Sequence, residues 1–381
     1  MTRRHDPMTS KPKPPNLRKI SALFDMRADF VHGFPYGSGH INDTYCVSFD
    51  QAGQRIRYVL QRINTHVFKD PHALMENISR VTHHSLGRLL ADEHPEAYRR
   101  TLTCIPALDG KAFAFDTQGN AWRTYPLIER ARSYDLIETN EQAFQVAKAF
   151  GNFQKLVADI GGERLHETIP DFHHTPKRLD ALRVAIETDT SNRAAQVKDL
   201  IDFALSRSSD CARITDLIAS GDIPERVTHN DTKLNNVLLD DVTAEGVCVV
   251  DLDTTMPGSS LYDFGDMVRS GTPTALEDDT EISTHDVRLD RFDAFARGYL
   301  GATNSFLNAT EIANLAFSGK LLTLECGIRF LTDYLQGDTY FKIKHPSHNL
   351  DRCRNQFALV RAIERNLPEM EKIVRGYADT I

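Results

Sequence analysis

The run His229-Asn230-Asp231-Thr232-Lys233-Leu234-Asn235-Asn236, followed by an apolar stretch ending at Asp251, constrains this chain more than any other segment. It places a carboxylate (Asp231), a cation (Lys233) and an amide (Asn236) in one short loop, with a further carboxylate at a strand tip. Asp231 is positioned to accept a proton from an attacking hydroxyl. Asn236 and Asp251 offer oxygen ligands to Mg²⁺, which keeps several waters and needs only one or two protein groups beside phosphate. Lys233 sits where a cation reaches a transferred phosphoryl group. That set suits phosphoryl transfer, a reaction that asks for positioning and charge neutralisation more than for covalent chemistry. Asn, Asp and Thr also favour turns, so Asp231 alone fits a polar turn between core strands. With Lys233, Asn236 and Asp251 all in register, the chemical reading is preferred.

The 381 residues suit two lobes or domains, and the apolar fraction of 41% supports an ordinary globular core. A formal net charge of −8 argues against a nucleic-acid partner, which is usually met with a basic face. The six cysteines, Cys46, Cys104, Cys211, Cys248, Cys326 and Cys353, form no C-x-x-C pair, so neither zinc nor a disulfide framework is indicated and a reducing cytoplasm fits. No apolar run is long enough to span a bilayer, and no membrane partner is expected. Residues 1–19 are basic and proline-bearing, lack the apolar core of a signal peptide, and read as a disordered lead-in.

Along the chain, strand patterns cover 30–34, 44–49, 55–63, 102–107, 112–115 and 121–128, interrupted by a helix that opens at Pro71. After Glu129 the pattern turns helical, with helices over 141–160 (ended by Gly161-Gly162), 179–186, 197–205 and 212–218. Short strands at 237–239 and 247–251, joined through Gly246, follow the loop, and helices return from Arg288. The expectation is α+β: a strand-rich N-terminal lobe over 20–128, a mainly helical lobe over 129–381, and a nucleotide held in the cleft between them.

Gly37-Ser38-Gly39 lies between two strand signals, where glycines let a backbone approach phosphates. A dinucleotide fold would need a helix after it; Thr44–Phe49 reads as a strand, which favours a kinase-type glycine hairpin over that alternative, with an ordinary hairpin turn the plain one. Along the next strand, Tyr58, Leu60 and Arg62 share a face, and Arg62 supplies a phosphate-binding cation. Glu76 either pairs with Arg62 or is a solvated carboxylate. Tyr125, Pro126 and Leu127 either contact adenine, through backbone groups, or form inter-lobe core.

The motifs resemble the aminoglycoside phosphotransferase-like superfamily, with its protein-kinase-like two-lobed fold. They do so at 229–236, at Val249 to Gly258, and at Asp263-Phe264-Gly265-Asp266. More narrowly, Leu60–Asn64, Phe68–Pro71, Arg329–Leu335, Gly337–Phe341 and His348–Asp351 resemble the N-acetylhexosamine 1-kinases. The resemblance implies a cytoplasmic, ATP- and Mg²⁺-dependent enzyme that phosphorylates the anomeric hydroxyl of GlcNAc or GalNAc; a monomer is expected. It implies Asp231 as base, Asn236 and Asp251 at the metal, and Arg329 and Tyr340 as sugar contacts. Arg329 is otherwise a structural ion-pair partner and Tyr340 a core aromatic. Asp263 and Asp266 would brace the loop. No Ala-Pro-Glu follows, which speaks against a protein substrate. The rival readings are a kinase of another small alcohol (aminoglycoside, amino sugar or choline-like) and a nucleotide-binding regulator without catalysis.

Overall fold

The computed structural model describes residues 14–37, 39 and 41–379; Ser38, His40 and the first part of the expected lead-in lie outside them. Within the described part of that lead-in, Leu17–Ser21 forms a short helix, α1, so the disordered reading up to residue 19 does not hold there. Asn16 caps it by accepting from the Lys19 N–H at 3.1 Å, and Ile20 is buried in the sheet's core.

The chain forms two compact units, one of the residues up to Pro71 with Thr103–Leu127, the other of His72–Leu102 with Ile128 onward. In the first, β1 (Asp29–Pro35), β2 (Asp43–Gln51), β3 (Gln54–Arg62), β4 (Ala114–Phe115) and β5 (Ala121–Pro126) make an antiparallel sheet in the order β1-β2-β3-β5-β4. One face of it buries Val47, Phe49, Leu60 and Trp122 against Ile20 and Phe24. Trp122 satisfies its indole N–H on Asp116 Oδ2 at 2.9 Å. The strand expected at 102–107 reduces to a single bridge, Phe24 to Ala107, with Ile105 N–H donating to the Thr124 carbonyl at 2.8 Å. Pro106 has no N–H to continue a ladder.

The second unit begins with α2 (Pro71–Ala91) and α3 (Ala97–Arg100), although the strand pattern places them in the lobe over 20–128. Their polar side chains explain the difference. Buried Asn77 donates to the carbonyls of His166 and Thr255 and accepts from the His166 N–H, and Arg100 donates to the Gly246 carbonyl at 2.7 Å.

The rest runs β6 (Ala131–Arg132), α4 (Asn140–Val157), α5 (Thr175–Thr188), α6 (Lys198–Leu205), α7 (Ser208–Ser220), β7 (Arg226–Thr228), β8 (Val237–Asp240), β9 (Gly246–Val249), β10 (Met256–Gly258), α8 (Ser260–Gly271), α9 (Leu289–Thr303), α10 (Ala309–Leu335) and α11 (His348–Ala378). A Thr139–Gln142 capping box starts α4, which stops at Val157, ahead of the glycine pair. Gly246 is not the connector expected between β8 and β9. It lies within β9, where a Cβ would sit 2.9 Å from the Gln145 carbonyl of α4.

The helical core gathers Leu182, Leu200, Leu324, Ile328, Leu331 and Phe357 from α5, α6, α10 and α11. Helix α8 crosses α10 at small residues: a Cβ on Gly265 would lie 2.5 Å from the Ser318 carbonyl, and one on Gly319 would lie 2.6 Å from Val268 Cγ1. This close approach fixes the first turns of α8, which carry Asp263 and Asp266. Because the obstacle at Gly265 is backbone, Gly265→Ala is expected to destabilise the protein by about 1–3 kcal/mol. Urea unfolding followed by circular dichroism measures this.

Candidate active site

The loop between β7 and β8 is held by main-chain bonds before any side chain acts. Thr228 at the end of β7 pairs with Met256 of β10, and the Val250 N–H donates to the Asn236 carbonyl at 2.9 Å, so the end of the loop is tied to the strand tip that bears Asp251. Asn230 and Asp251 both adopt left-handed backbone conformations, φ 65° and 59°, an arrangement uncommon for residues other than glycine that concentrates at functional sites. Asn230 stabilises its own bend through Nδ2, which donates to the carbonyls of Thr228 and Thr254.

Asp263, in the first turn of α8, is the loop's main support. Its carboxylate accepts the N–H groups of His229 at 3.0 Å and Asn230 at 2.7 Å and the Gln154 amide at 2.6 Å, while its carbonyl accepts the Thr232 hydroxyl at 2.6 Å. Tyr299 in turn donates to Gln154 Oε1 at 2.6 Å. Burial pushes the Asp263 carboxyl upward in pKa; the His229 and Asn230 N–H groups oppose it. His229 is fully buried between Phe150 and Phe153; its Nε2 donates to the Val250 carbonyl at 2.9 Å, which leaves Nδ1 to accept the Asp231 N–H at 3.3 Å. The imidazole therefore locks the loop in one tautomer.

On this scaffold Asp231 lies 2.8 Å from Lys233 Nζ, and the Asn236 amide donates to both the Asp231 carbonyl (2.8 Å) and Oδ2 (3.2 Å). Burial alone would raise the Asp231 pKa; the Lys233 ammonium, with the more distant Arg269, outweighs it and holds the carboxyl at about 2. The same pairing lifts Lys233 well above the usual lysine range. Because Nδ2 of Asn236 is engaged, its amide orientation is fixed and Oδ1 is the atom left to face a ligand. An amide oxygen and the exposed Asp251 carboxylate, on backbone segments joined by the Val250–Asn236 bond, are an oxygen donor set of the kind Mg²⁺ takes beside phosphate.

A further layer had no counterpart in the sequence reading. His173 Nε2 donates to the Asn230 carbonyl at 2.9 Å, while Nδ1 meets Glu325 Oε1 at 2.8 Å, and Glu325 Oε2 accepts the Thr175 hydroxyl at 2.7 Å. Burial would lower the His173 pKa, but the Glu325 charge more than offsets it, so the ring is held protonated and Glu325 is held ionised. Beside them, Arg269 binds Asp266 Oδ1 at 2.8 Å; Asp266 Oδ2 is buried with no hydrogen-bond partner.

Arg329, one turn beyond Glu325 on α10, is half-buried, with its guanidinium carbon 5.8, 5.9 and 5.5 Å from the rings of Phe172, Tyr340 and Phe341. Tyr340 is 69% exposed, which overturns its reading as a core aromatic. Its loop is shaped by Asp333, whose carboxylate accepts the N–H groups of Thr339, Tyr340 and Phe341 at 2.8–2.9 Å.

Residues 34–295 match the sequence profile of APH, the phosphotransferase enzyme family. The chain belongs to this family. It is thus a phosphotransferase of the small-molecule kinase type. Among solved structures it is similar to an aminoglycoside phosphotransferase from Alicyclobacillus acidocaldarius (TM-score 0.60, 12% identity, covering 97% of this chain and 98% of that one). It is also similar to a microcompartment-associated aminopropanol kinase (0.52, 16%, 93% and 97%) and to a choline kinase from Cryptosporidium parvum (0.51, 14%, 91% and 91%). These likenesses show the fold: α+β and protein-kinase-like, with an antiparallel-sheet N-lobe and a helical C-lobe. Among the described residues, no helix of the phosphotransferase is long and apolar enough to cross a membrane.

In the sheet unit of the phosphotransferase, Gly37 has a positive φ of 81°, and neither Gly37 nor Gly39 has a neighbour within 4 Å of an added Cβ. Arg62 is spent on Asp43, with Nε 2.7 Å from Oδ2, and Glu76 on His166 at 3.0 Å, so each has a partner other than the one considered from sequence. Tyr125 is nearly buried in β5, and the Leu127 N–H donates to the Arg57 carbonyl at 2.9 Å, which removes that donor from adenine recognition.

The depressed carboxyl has a consequence that can be measured. Since the folded pKa of Asp231 lies below the ordinary carboxyl value, its pairing stabilises the fold above about pH 4 and that contribution fades as pH falls toward 2. In Lys233→Met burial is left to dominate, and the Asp231 pKa is expected to rise above the ordinary value. Carboxyl-carbon NMR titration of the two proteins follows this.

Proposed function

We propose that this phosphotransferase uses ATP and Mg²⁺ to phosphorylate the anomeric hydroxyl of an N-acetylhexosamine, GlcNAc or GalNAc, in the cytoplasm. The observation that carries the kinase chemistry is the Asp231–Lys233–Asn236 cluster. In it a carboxylate kept ionised, a cation and an oriented amide share one turn braced by Asp263.

In this reading Asp231 accepts the hydroxyl hydrogen bond and orients the attacking oxygen. A carboxyl with a pKa near 2 is a weak base, so full proton removal before attack is uphill. Phosphoryl transfer through a loose transition state asks for that proton late, and an anomeric hydroxyl is more acidic than an ordinary alcohol. Lys233 turns from Asp231 toward the phosphoryl oxygens as charge arrives there. Asn236 and Asp251 would hold Mg²⁺, whose chemistry is neutralisation of phosphate charge. Gly37, Ser38 and Gly39 are assigned to the nucleotide phosphates by the pattern of their sequence, and Arg62 joins them by exchanging Asp43 for phosphate. Tyr125 is retained as an adenine-side contact.

For the acceptor, support comes from Arg329 and Tyr340. Arg329 makes no ion pair or hydrogen bond among the described residues and packs only on aromatic rings, which supports the sugar-contact reading over a structural ion pair. A guanidinium in a half-buried aromatic setting suits the carbonyl and hydroxyl oxygens of an acetamido sugar, and leaving buried donors unpaired costs on the order of 1–3 kcal/mol each.

Asp231→Asn is expected to lower kcat by at least about a hundredfold while ATP binding stays within about twofold. Asp251→Ala is expected to abolish the Mg²⁺ dependence of nucleotide affinity, as read by calorimetry with and without the metal. An acceptor panel with ATP, followed by phosphorus NMR, tests the substrate: a doublet coupled to the anomeric proton is expected, and phosphate on another carbon or on a non-sugar would reject the assignment.

A further inference from the structure

We propose that Arg178 is a specificity-determining residue which, with Arg329, admits an oxygen-rich, uncharged or anionic acceptor and rejects a cationic one. The inference rests on the acceptor site assigned above and adds a charge rule to it.

Arg178 stands in the first turn of α5, and its Nη2 donates to the Phe172 carbonyl at 2.9 Å. Arg329 packs its guanidinium on the ring of the same Phe172. Two cations thus converge on one residue beside the buried His173, and burial followed by the Arg329 charge pushes the Arg178 pKa down. The negative charges within reach are already engaged. Glu325 divides its oxygens between His173 and Thr175, and Asp171 binds Lys177 at 2.7 Å. Arg178 Nε is buried with no hydrogen-bond partner. Neither guanidinium has an ion pair among the described residues. Like charges gathered in a half-buried place, with a donor unmet, are costly unless a ligand supplies electron-rich oxygen.

The arrangement penalises an ammonium twice, by repulsion and by leaving the donors unmatched. This separates the chain from the aminopropanol and choline kinases that share its fold, whose named acceptors are cationic amino alcohols. Their shared fold says nothing of charge at this position, and nothing in the scaffold forces it.

Glucosamine and N-acetylglucosamine offer the same hydroxyls and differ in charge at one substituent. At a pH where glucosamine is protonated, the wild-type kcat/KM is expected to favour the acetylated sugar by at least about a hundredfold. Arg178→Gln should narrow that ratio about tenfold or more. It should do so partly by raising turnover of glucosamine, which a merely damaged fold would not do. Arg178→Lys, which keeps the charge, should retain most of the ratio, and Arg329→Gln should narrow it too should Arg178→Gln fail to fold. Choline, ethanolamine and inositol complete the panel. A ratio unchanged in both glutamine variants, or a cationic alcohol as the best wild-type acceptor, overturns the proposal. Preference for inositol over every sugar, with choline and ethanolamine rejected in an Arg178-dependent way, would reject the sugar assignment and keep the charge rule.

Discussion

One carboxylate, that of Asp263, holds the loop from His229 to Asn236 in shape. A loop that carries a left-handed asparagine and a turn of polar side chains cannot be stabilised by its own hydrophobic contacts. Its amides must find partners away from water. Asp263 supplies them from the first turn of α8, taking two consecutive N–H groups while its own carbonyl accepts Thr232 from the far end. The helix is placed by its close crossing with α10, where Gly265 leaves no room for a side chain. Packing thus sets the position of a carboxylate, and the carboxylate sets the position of Asp231.

The charges nearby are arranged as a balanced series. Asp231 meets the exposed Lys233, while Asp266 meets Arg269 and Glu325 meets His173 in pairs that are buried. Breaking either buried pair strands a charge, a far larger cost than the pair's net contribution. The site is accordingly stiff around Asp231, where the proposed reaction would orient an oxygen. It is unbalanced at one place, around Arg178 and Arg329, where positive charge outnumbers its partners. Stability explains the balanced part. At the unbalanced place one hydrogen bond to the Phe172 carbonyl and ring packing hold the two guanidinium groups without neutralising them, and the proposed charge rule rests on that surplus.

Much of this was legible in the sequence because it is local. The motif from His229 to Asp251 could be read because its members sit on one loop and the adjoining hairpin, so spacing translates directly into geometry. Strands β1 to β3 and helices α2 and α4 follow from periodicity and caps. The lobe boundary was misplaced at α2 and α3, since no local pattern announces that Asn77 will bond to His166 and Thr255. The strand at 102–107 failed on Pro106, whose missing N–H outweighs the apolar run. His173, Glu325 and Arg178 escaped altogether: a lone histidine, a glutamate in an apolar helix and an arginine in a first turn carry no spacing rule. Gln154 and Tyr299, which steady Asp263, were hidden in the same way inside ordinary helical patterns.

The partners in the His173–Glu325 pair are 152 residues apart. During synthesis every residue of the motif from His229 to Asp251 leaves the ribosome before α10 does. The nascent loop must wait for a counter-ion encoded far downstream. A chain interrupted between the two would keep its whole motif intact on paper and still be a machine missing its keystone. Its histidine would have the choice of shedding its proton or staying in water.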